Sequence, residues 1–309
     1  QAAQTMAARL VTQGLFGARP GDRRAYLWGS PIELGGGRTR CWRDRLINEI
    51  ILNAFEMGPA DLERHLARLR RFRPRVIYGY PSALALLARH AAERGGAQLA
   101  GLRLVVATGE TVTDDQRRQI RAAFGCPVAA EYGAREVGLI AHECPHGTLH
   151  VLAPHVHVEL WSDGRPVGPG RVGEVVCTAL NTRAQPLIHY RLGDLARWGD
   201  ATCACGLSLP ALRLDAGKTL GFIALAGGRL CNGAVTSHVL RDRPGIVSYR
   251  THQRTLDEFD VLLVTDARYA RDTDDEIRRR YRALFGARVQ VRIQHVDHIP
   301  PLPSGKQRY

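Results

Sequence analysis

Apolar residues recur at spacings of three and four, with charges between them, along 61–72 (DLERHLARLRRF) and 83–94 (ALALLARHAAER). That period winds one apolar stripe onto a helix. Between the two segments lies Arg75-Val76-Ile77-Tyr78, a short β-branched run ending at Gly79-Tyr80-Pro81, so the pattern predicts a strand and then a turn. The same grammar returns at once. Residues 102–107 read as a strand, Gly109-Glu110 as a turn, and 113–124 as a helix opened by Thr113 with Asp114 and Asp115 in its first turn. From His150 the texture changes to short alternating stretches, 155–160 and 173–177, separated by Asp163-Gly164 and Pro169-Gly170, which predicts a β-rich subdomain. Beyond Leu214, mixed strands and one charged helix over 272–285 predict a small α+β unit.

Strand, loop and helix in alternation predict an α/β fold whose large domain has mostly parallel sheets. A chain of 309 residues also exceeds the size at which one core stops growing. The expected division is 1–214, a large domain with its β-rich subdomain, and 215–309, a small C-terminal lid. In open parallel sheets ligands collect at the carboxyl ends of the strands. Tyr78-Gly79-Tyr80, Gly109-Glu110 and Tyr132-Gly133 all follow predicted strands and could line one crevice.

Charge narrows the picture. Lys and Arg number 43 against 30 acids, a net charge of +13, yet Lys218 and Lys306 are the only lysines. The arginines are scattered over helices instead of forming one stripe, which argues against a nucleic-acid reader, while a positive field draws in phosphate-bearing ligands. No window approaches 18 uninterrupted apolar residues and 1–20 lacks the pattern of a signal peptide, so no membrane partner and a cytoplasmic location are expected. Seven cysteines, an odd count, fit a reducing compartment better than a disulfide framework. Cys41, Cys126, Cys177 and Cys231 are isolated, whereas Cys203-Ala204-Cys205-Gly206 forms a pair with Cys144-Pro145-His146-Gly147-Thr148-Leu149-His150 upstream. Two thiolates one residue apart close a tetrahedral shell only with distant ligands. Cys144, His150, Cys203 and Cys205 are the expected set, with His142 or His146 competing for the fourth place.

Glu131-Tyr132-Gly133-Ala134-Arg135-Glu136-Val137-Gly138, Tyr190-Arg191-Leu192-Gly193-Asp194 and Pro303-Ser304-Gly305-Lys306 stand in this order along the chain. Together with Tyr78-Gly79-Tyr80-Pro81-Ser82 and Thr108-Gly109-Glu110-Thr111, they resemble the adenylate-forming superfamily, in the branch of phenylacetate-CoA ligases and CapK-type ligases. The resemblance runs from about Arg19 to the last residue. It implies an enzyme that uses ATP and Mg²⁺ to convert an aryl or heteroaromatic carboxylic acid to an acyl-adenylate. Coenzyme A is the implied acceptor, with an amine or a carrier protein as alternatives.

By the same resemblance, Tyr132 stacks on adenine with Gly133 beside it, Glu136 holds Mg²⁺, and Asp194 accepts from the ribose hydroxyls. Gly109 and Glu110 border the base, and Tyr78, Gly79, Tyr80 and Pro81 wall the acid, with Ser82 as an N-cap. Lys306 neutralises charge during adenylation. Some members carry a comparable Cys/His pattern and bind structural Zn²⁺. Each motif also has a plainer explanation. Residues 131–137 could be a strand-to-helix turn, Asp194 a turn aspartate, Lys306 a solvated tail residue and the cysteines a reduced pair.

Departures from the family pattern are visible too. His189 stands where arginine is usual, and Lys218 in Gly217-Lys218-Thr219 replaces the hinge arginine, with no aspartate following. The family's Ser/Thr/Gly-rich phosphate loop has no match here, so it is expected upstream of Gln1 or lost. These departures keep open a zinc-stabilised, catalytically degenerate homologue. Homodimer formation is likewise left open.

Overall fold

The computed structural model describes residues 2–29, 47–54, 56–96, 99–182, 185–200, 202–216, 222–225, 229–232, 234–240, 243–270 and 272–299. In chain order the large domain runs α1 (Ala2–Gly14), β1 (Arg24–Trp28), β2 (Glu49–Asn53), α2 (Pro59–Phe72), β3 (Val76–Gly79), α3 (Pro81–Ala92), β4 (Leu104–Thr108), α4 (Asp114–Phe124) and β5 (Val128–Ala134). Antiparallel strands follow: β6 (Gly138–Glu143), β7 (Leu149–Val151), β8 (Val156–Ser162), β9 (Arg165–Pro166), β10 (Gly173–Ala179), β11 (Tyr190–Trp198) and β12 (Ala211–Ala216). All twelve strands form one sheet in the order β2-β1-β3-β4-β5-β6-β7-β12-β11-β10-β8-β9.

The parallel half obeys the two-residue period of a strand buried on both sides. Ile77 and Val105 join Leu66, Leu87 and Ile120 in the apolar layer beneath α2, α3 and α4. Val76, Tyr78, Leu104 and Val106 pack on the opposite side with Phe16 and Ala18. Local signals set the helix ends. The Thr113 hydroxyl accepts from Gln116 N–H at 3.2 Å at the start of α4, and Gly125 closes it in the left-handed region.

β5 is the seam of the sheet. It pairs in parallel with β4 and antiparallel with β6, so the helix-covered half turns into the β-rich half along this strand. The antiparallel half curls. Tyr132 on β5 and Asp194 on β11 are four strands apart in order, a distance of about 19 Å on a flat sheet, yet their side chains touch at 3.0 Å. Val137, Ile140, Val158, Leu160, Val175 and Leu212 fill the interior of the curl.

The C-terminal part contains the β13 (Phe222–Leu225) and β14 (Arg229–Asn232) hairpin, α5 (Ala234–Leu240), β15 (Ile246–Gln253), β16 (Glu258–Thr265), α6 (Asp272–Phe285) and β17 (Gln290–His295). β16 pairs antiparallel with β15 and parallel with β17, reached by the α6 crossover. Phe259, Tyr281 and Phe285 pack ring against ring between α6 and this small sheet. Among the described residues no helix is long and apolar enough to cross a membrane.

Candidate functional site

Two of the expected motifs meet, together with Trp28, at the carboxyl ends of neighbouring parallel strands. Trp28 ends β1, Tyr80 follows β3 and Gly109 follows β4. The Tyr80 ring stacks on Trp28 with centroids 4.1 Å apart and planes 13° apart, and a Cβ on Gly109 would lie 3.0 Å from the Tyr80 ring. Gly79 runs close to β1, where a Cβ would come within 2.7 Å of the Leu27 carbonyl.

Ser82 is not the N-cap of α3. That position is Tyr80, with Pro81 in the first turn, because proline's fixed φ and missing N–H suit the helix start. The capping acceptor comes from another loop. Glu110 takes the Ser82 N–H at 3.1 Å and the Ser82 hydroxyl at 2.8 Å, which places a carboxylate at the positive end of the helix dipole.

Residues 131–137 form neither a strand-to-helix turn nor an open loop. They are β5 and the tip of its hairpin with β6, with Arg135 and Glu136 exposed on the turn. Gly133 has a structural reason inside this hairpin: a Cβ there would sit 2.6 Å from the Gly138 carbonyl. The register shifts between Tyr132 and Gly133. The Tyr132 hydroxyl donates to Asp194 Oδ2 at 3.0 Å. Burial, and then the Asp194 carboxylate, push the phenol's pKa up, so it stays a donor. Asp194 is aimed by a bulge in β11, where Gly193 adopts φ +74° and the pairing jumps from Glu174↔Leu195 to Val176↔Arg191. Behind it, the buried Cys177 thiol is pushed up to about 12 by burial and by Asp194, which keeps it neutral. His189 pairs with Glu159 at 3.1 Å on the adjoining surface.

The opposite side of β5 holds a cluster absent from the sequence-based expectations. Glu131 points beneath α1, where Arg9 donates to it from Nε at 3.1 Å and from Nη2 at 2.9 Å. Arg9 also donates to the Tyr78 hydroxyl at 2.7 Å, and Tyr78 donates to Glu131. Tyr78 is thus tied beneath α1, its ring 5.7 Å from Trp28. One buried charge required one buried countercharge, but 122 residues of separation hid the pair.

The sulfur and nitrogen donors converge as expected. The ligand atoms of Cys144, His150, Cys203 and Cys205 all lie within 4.8 Å of one another. Cys144 Sγ is 3.6 Å from Cys203 Sγ, and Cys205 Sγ is 3.2 Å from His150 Nε2. Donors around one tetrahedral ion at about 2.3 Å are about 3.7 Å apart, so the set can hold a metal ion. His150 Nδ1–H faces the Leu209 carbonyl at 3.1 Å, which leaves Nε2 free for a metal. The Thr148 hydroxyl, 3.2 Å from Cys203 Sγ, brings that thiol's pKa down to about 6, whereas burial raises that of Cys205. His142 is buried and bonded to the Glu143 carbonyl, and His146 is exposed on the turn, so neither joins the cluster. Lys218 and Lys306 lie outside the described residues.

A five-stranded parallel layer continued by a curled antiparallel one, with a small α+β unit after it, is the fold of adenylate-forming enzymes. A 2-hydroxyisobutyryl-CoA ligase structure, in complex with its acyl-AMP and CoA, matches with a TM-score of 0.61 at 18% identity, covering 97% of this chain and 67% of that one. The amide bond synthetase McbA from Marinactinospora thermotolerans matches with a TM-score of 0.54 at 20% identity, covering 98% and 63%. Residues 50–181 match the family model of AMP-binding enzymes, and residues 225–309 match the CapK C-terminal domain. These matches support a place among the adenylate-forming enzymes, in the branch of phenylacetate-CoA ligase and CapK. The chain is 21% identical to protein CapK of Staphylococcus aureus over 283 residues and 26% identical to phenylacetate-coenzyme A ligase of Thermus thermophilus over 282. Each alignment takes in 87% of this chain, which spans 60% and 62% of the length of those relatives.

Proposed function

We propose that this protein is an ATP-dependent carboxylate ligase of the AMP-forming kind. A carboxylate oxygen of the acid attacks the α-phosphorus of ATP, the bond to pyrophosphate breaks, and an acyl-adenylate forms. An acceptor nucleophile then attacks the acyl carbon, and AMP leaves with the electron pair of the acyl–oxygen bond. The observation that carries this reading is the meeting of Tyr132 and Asp194 at 3.0 Å from strands four apart in the sheet. An aromatic side chain and a carboxylate are thereby held together, the two kinds of group that a purine and its ribose require.

In this reading Glu136, on the exposed hairpin tip, would contribute the carboxylate for Mg²⁺, which would supply positive charge to offset that of the phosphates. Gly109 and Glu110 border the base. Tyr80 and Pro81, with Gly79 and the ring of Tyr78 behind them, form the side of the crevice offered to an aryl acid. Lys306 acts in adenylation, and Lys218 stands in the sequence in place of the family's hinge arginine, with 1–214 and 215–309 as the proposed division into large domain and lid. Coenzyme A is the acceptor. An amine is the alternative, favoured by the altered hinge. Cys144, His150, Cys203 and Cys205 hold Zn²⁺ with all four positions filled by protein, a structural role.

The test is acid-dependent exchange of labelled pyrophosphate into ATP, run with a panel of aryl and short aliphatic acids. Exchange that needs an acid and Mg²⁺, and that is lost in Asp194→Ala, supports the reading. Nucleotide binding without exchange under any acid favours the degenerate homologue instead.

A further inference from the structure

We infer that Cys144 and Cys203 form a reversible dithiol–disulfide pair, so that the cluster of Cys144, His150, Cys203 and Cys205 is an oxidation site as well as a metal site. The inference rests on the proposed zinc site and gives two of its ligands a second, covalent state.

The geometry selects this pair. Cys144 Sγ and Cys203 Sγ lie 3.6 Å apart across a sequence separation of 59 residues, and closing them to a disulfide bond of about 2 Å asks for a movement of about 1.5 Å. Both cysteines open a tight turn. Gly147 N–H donates to the Cys144 carbonyl at 2.9 Å and Gly206 N–H to the Cys203 carbonyl at 3.2 Å, and each glycine adopts φ +79°. The two residues stand outside the strands, so their sulfurs can approach without breaking a ladder. Cys205 has a different neighbour, His150 Nε2 at 3.2 Å, and bonding it to Cys203 would close a ring over the single residue Ala204.

Exposure orders the chemistry. Cys203 is half-buried and meets an oxidant first, whereas Cys144 is 2% exposed and serves as the resolving thiol. The Cys203 thiolate attacks one oxygen of a hydroperoxide, and the O–O bond breaks with its electron pair on the leaving oxygen. That oxygen takes a proton and departs as water or an alcohol, leaving a sulfenic acid on Cys203. The Cys144 thiolate then attacks that sulfur, the S–O bond breaks, and hydroxide leaves as water after taking a proton. Two thiolates have given two electrons to one peroxide. A tetrahedral ion left with Cys205 and His150 has lost two anionic donors and is released. The disulfide ties together the same two segments that the ion had tied, and a thiol reductant reverses it by exchange. Cys126 and Cys177 serve as internal controls, because burial pushes both thiols up to about 12 and so keeps them unreactive.

The experiment is treatment of the full chain, purified without chelator, with excess hydrogen peroxide, followed by zinc release to a chromophoric chelator and by peptide mapping without reduction. Wild type should release its zinc in step with formation of one Cys144–Cys203 disulfide, and dithiothreitol with added zinc should restore the starting state. Oxidised, metal-free protein should melt above reduced, metal-free protein, since one staple replaces the other. Cys205→Ser should hold zinc poorly and still form the Cys144–Cys203 bond, and it keeps both thiols in place should Cys203→Ser fail to fold. Protein that carries no zinc yet forms this bond upholds the pair and removes the zinc reading. Zinc retained with both thiols unoxidised overturns the inference and leaves the zinc reading standing. A Cys203–Cys205 bond, or sulfinic acid on Cys203 with no disulfide, overturns it as well.

Discussion

Arg9 of α1 grips Glu131 of β5 with two nitrogens, at 3.1 and 2.9 Å, and the Glu131 side chain is only 3% exposed. The pair ties the first helix to the strand that carries Tyr132, on the face opposite that ring. Removing one partner of a buried pair leaves an uncompensated charge, at a cost of about 3–5 kcal/mol. Arg9→Ala should therefore lower the midpoint of urea unfolding far more than a surface substitution does. Replacing both residues with methionine should recover much of the loss. A midpoint unchanged in Arg9→Ala would refute the assignment of Arg9 as the countercharge.

Glu110 and Ser82 make a second such bridge, from the loop after β4 to the start of α3. Loss of a capping acceptor costs about 0.5–2 kcal/mol. Glu110→Ala should be destabilised within that range, with Glu110→Gln retaining part of the bond through its amide oxygen. Chemical denaturation of the two variants checks the order. Glu110→Gln falling below Glu110→Ala would contradict capping by this carboxylate.

The elements most legible in the sequence were those whose signals are local. Residues 113–124 carried a capping residue, acids in the first turn and a terminal glycine, and α4 begins and ends accordingly. The cysteine turn was readable because thiolates one residue apart have few other uses in a reducing compartment, and His150 arrives through the β6–β7 hairpin. What the sequence concealed is long-range. Nothing near Glu131 announces Arg9, and nothing near Ser82 announces Glu110. Residues 131–137 suggested a turn into a helix, whereas pairing with β6 makes them a hairpin, since cross-strand partners decide strand identity more than intrinsic preference does. β1 and α1 carried no periodic signal strong enough to be read.

His65 supplies a pH test that is independent of the candidate site. It is buried in α2, its Nε2 bonded to the Asn53 carbonyl at 3.0 Å and its Nδ1 without a partner. Burial lowers its pKa below the ordinary value of 6.5. The unfolded chain therefore binds a proton in a pH range where the folded chain does not, and stability falls as pH drops from about 6.5 toward the folded-state value. The slope attributable to one such group is at most about 1.4 kcal/mol per pH unit. His65→Gln should flatten this part of the stability profile, measured by urea unfolding between pH 7 and 5. An unaltered slope in the variant would mean that His65 is not the group responsible.

Lys306 stands in Pro303-Ser304-Gly305-Lys306, a lone ammonium on a glycine-bearing approach. A charge needed only while the α-phosphorus is under attack stabilises that transition state and not the later acyl transfer. Lys306→Ala should slow adenylate formation by about 10²-fold or more, while supplied acyl-adenylate still reacts with the acceptor at a near-normal rate. Single-turnover assays of the two half-reactions separate them. Equal loss in both would exclude a role confined to adenylation.

Metal content is the most direct test of the Cys144, His150, Cys203 and Cys205 cluster. Protein purified without chelator should contain close to one zinc per chain, because three sulfurs and one nitrogen, already converged, match the preference of that ion. A closed site links two chain segments more than 50 residues apart, the β6–β7 turn and the loop before β12, so metal binding contributes directly to stability. Cys203→Ser should lower both zinc content and melting temperature. His150→Ala should do the same, whereas His142→Ala and His146→Ala should leave the zinc content unchanged. If the His146 variant loses zinc instead, the exposed turn must rearrange around the ion, and the ligand set is Cys144, His146, Cys203 and Cys205. Absence of zinc from protein that melts normally would show that the four residues are a reduced cluster held by their own hydrogen bonds.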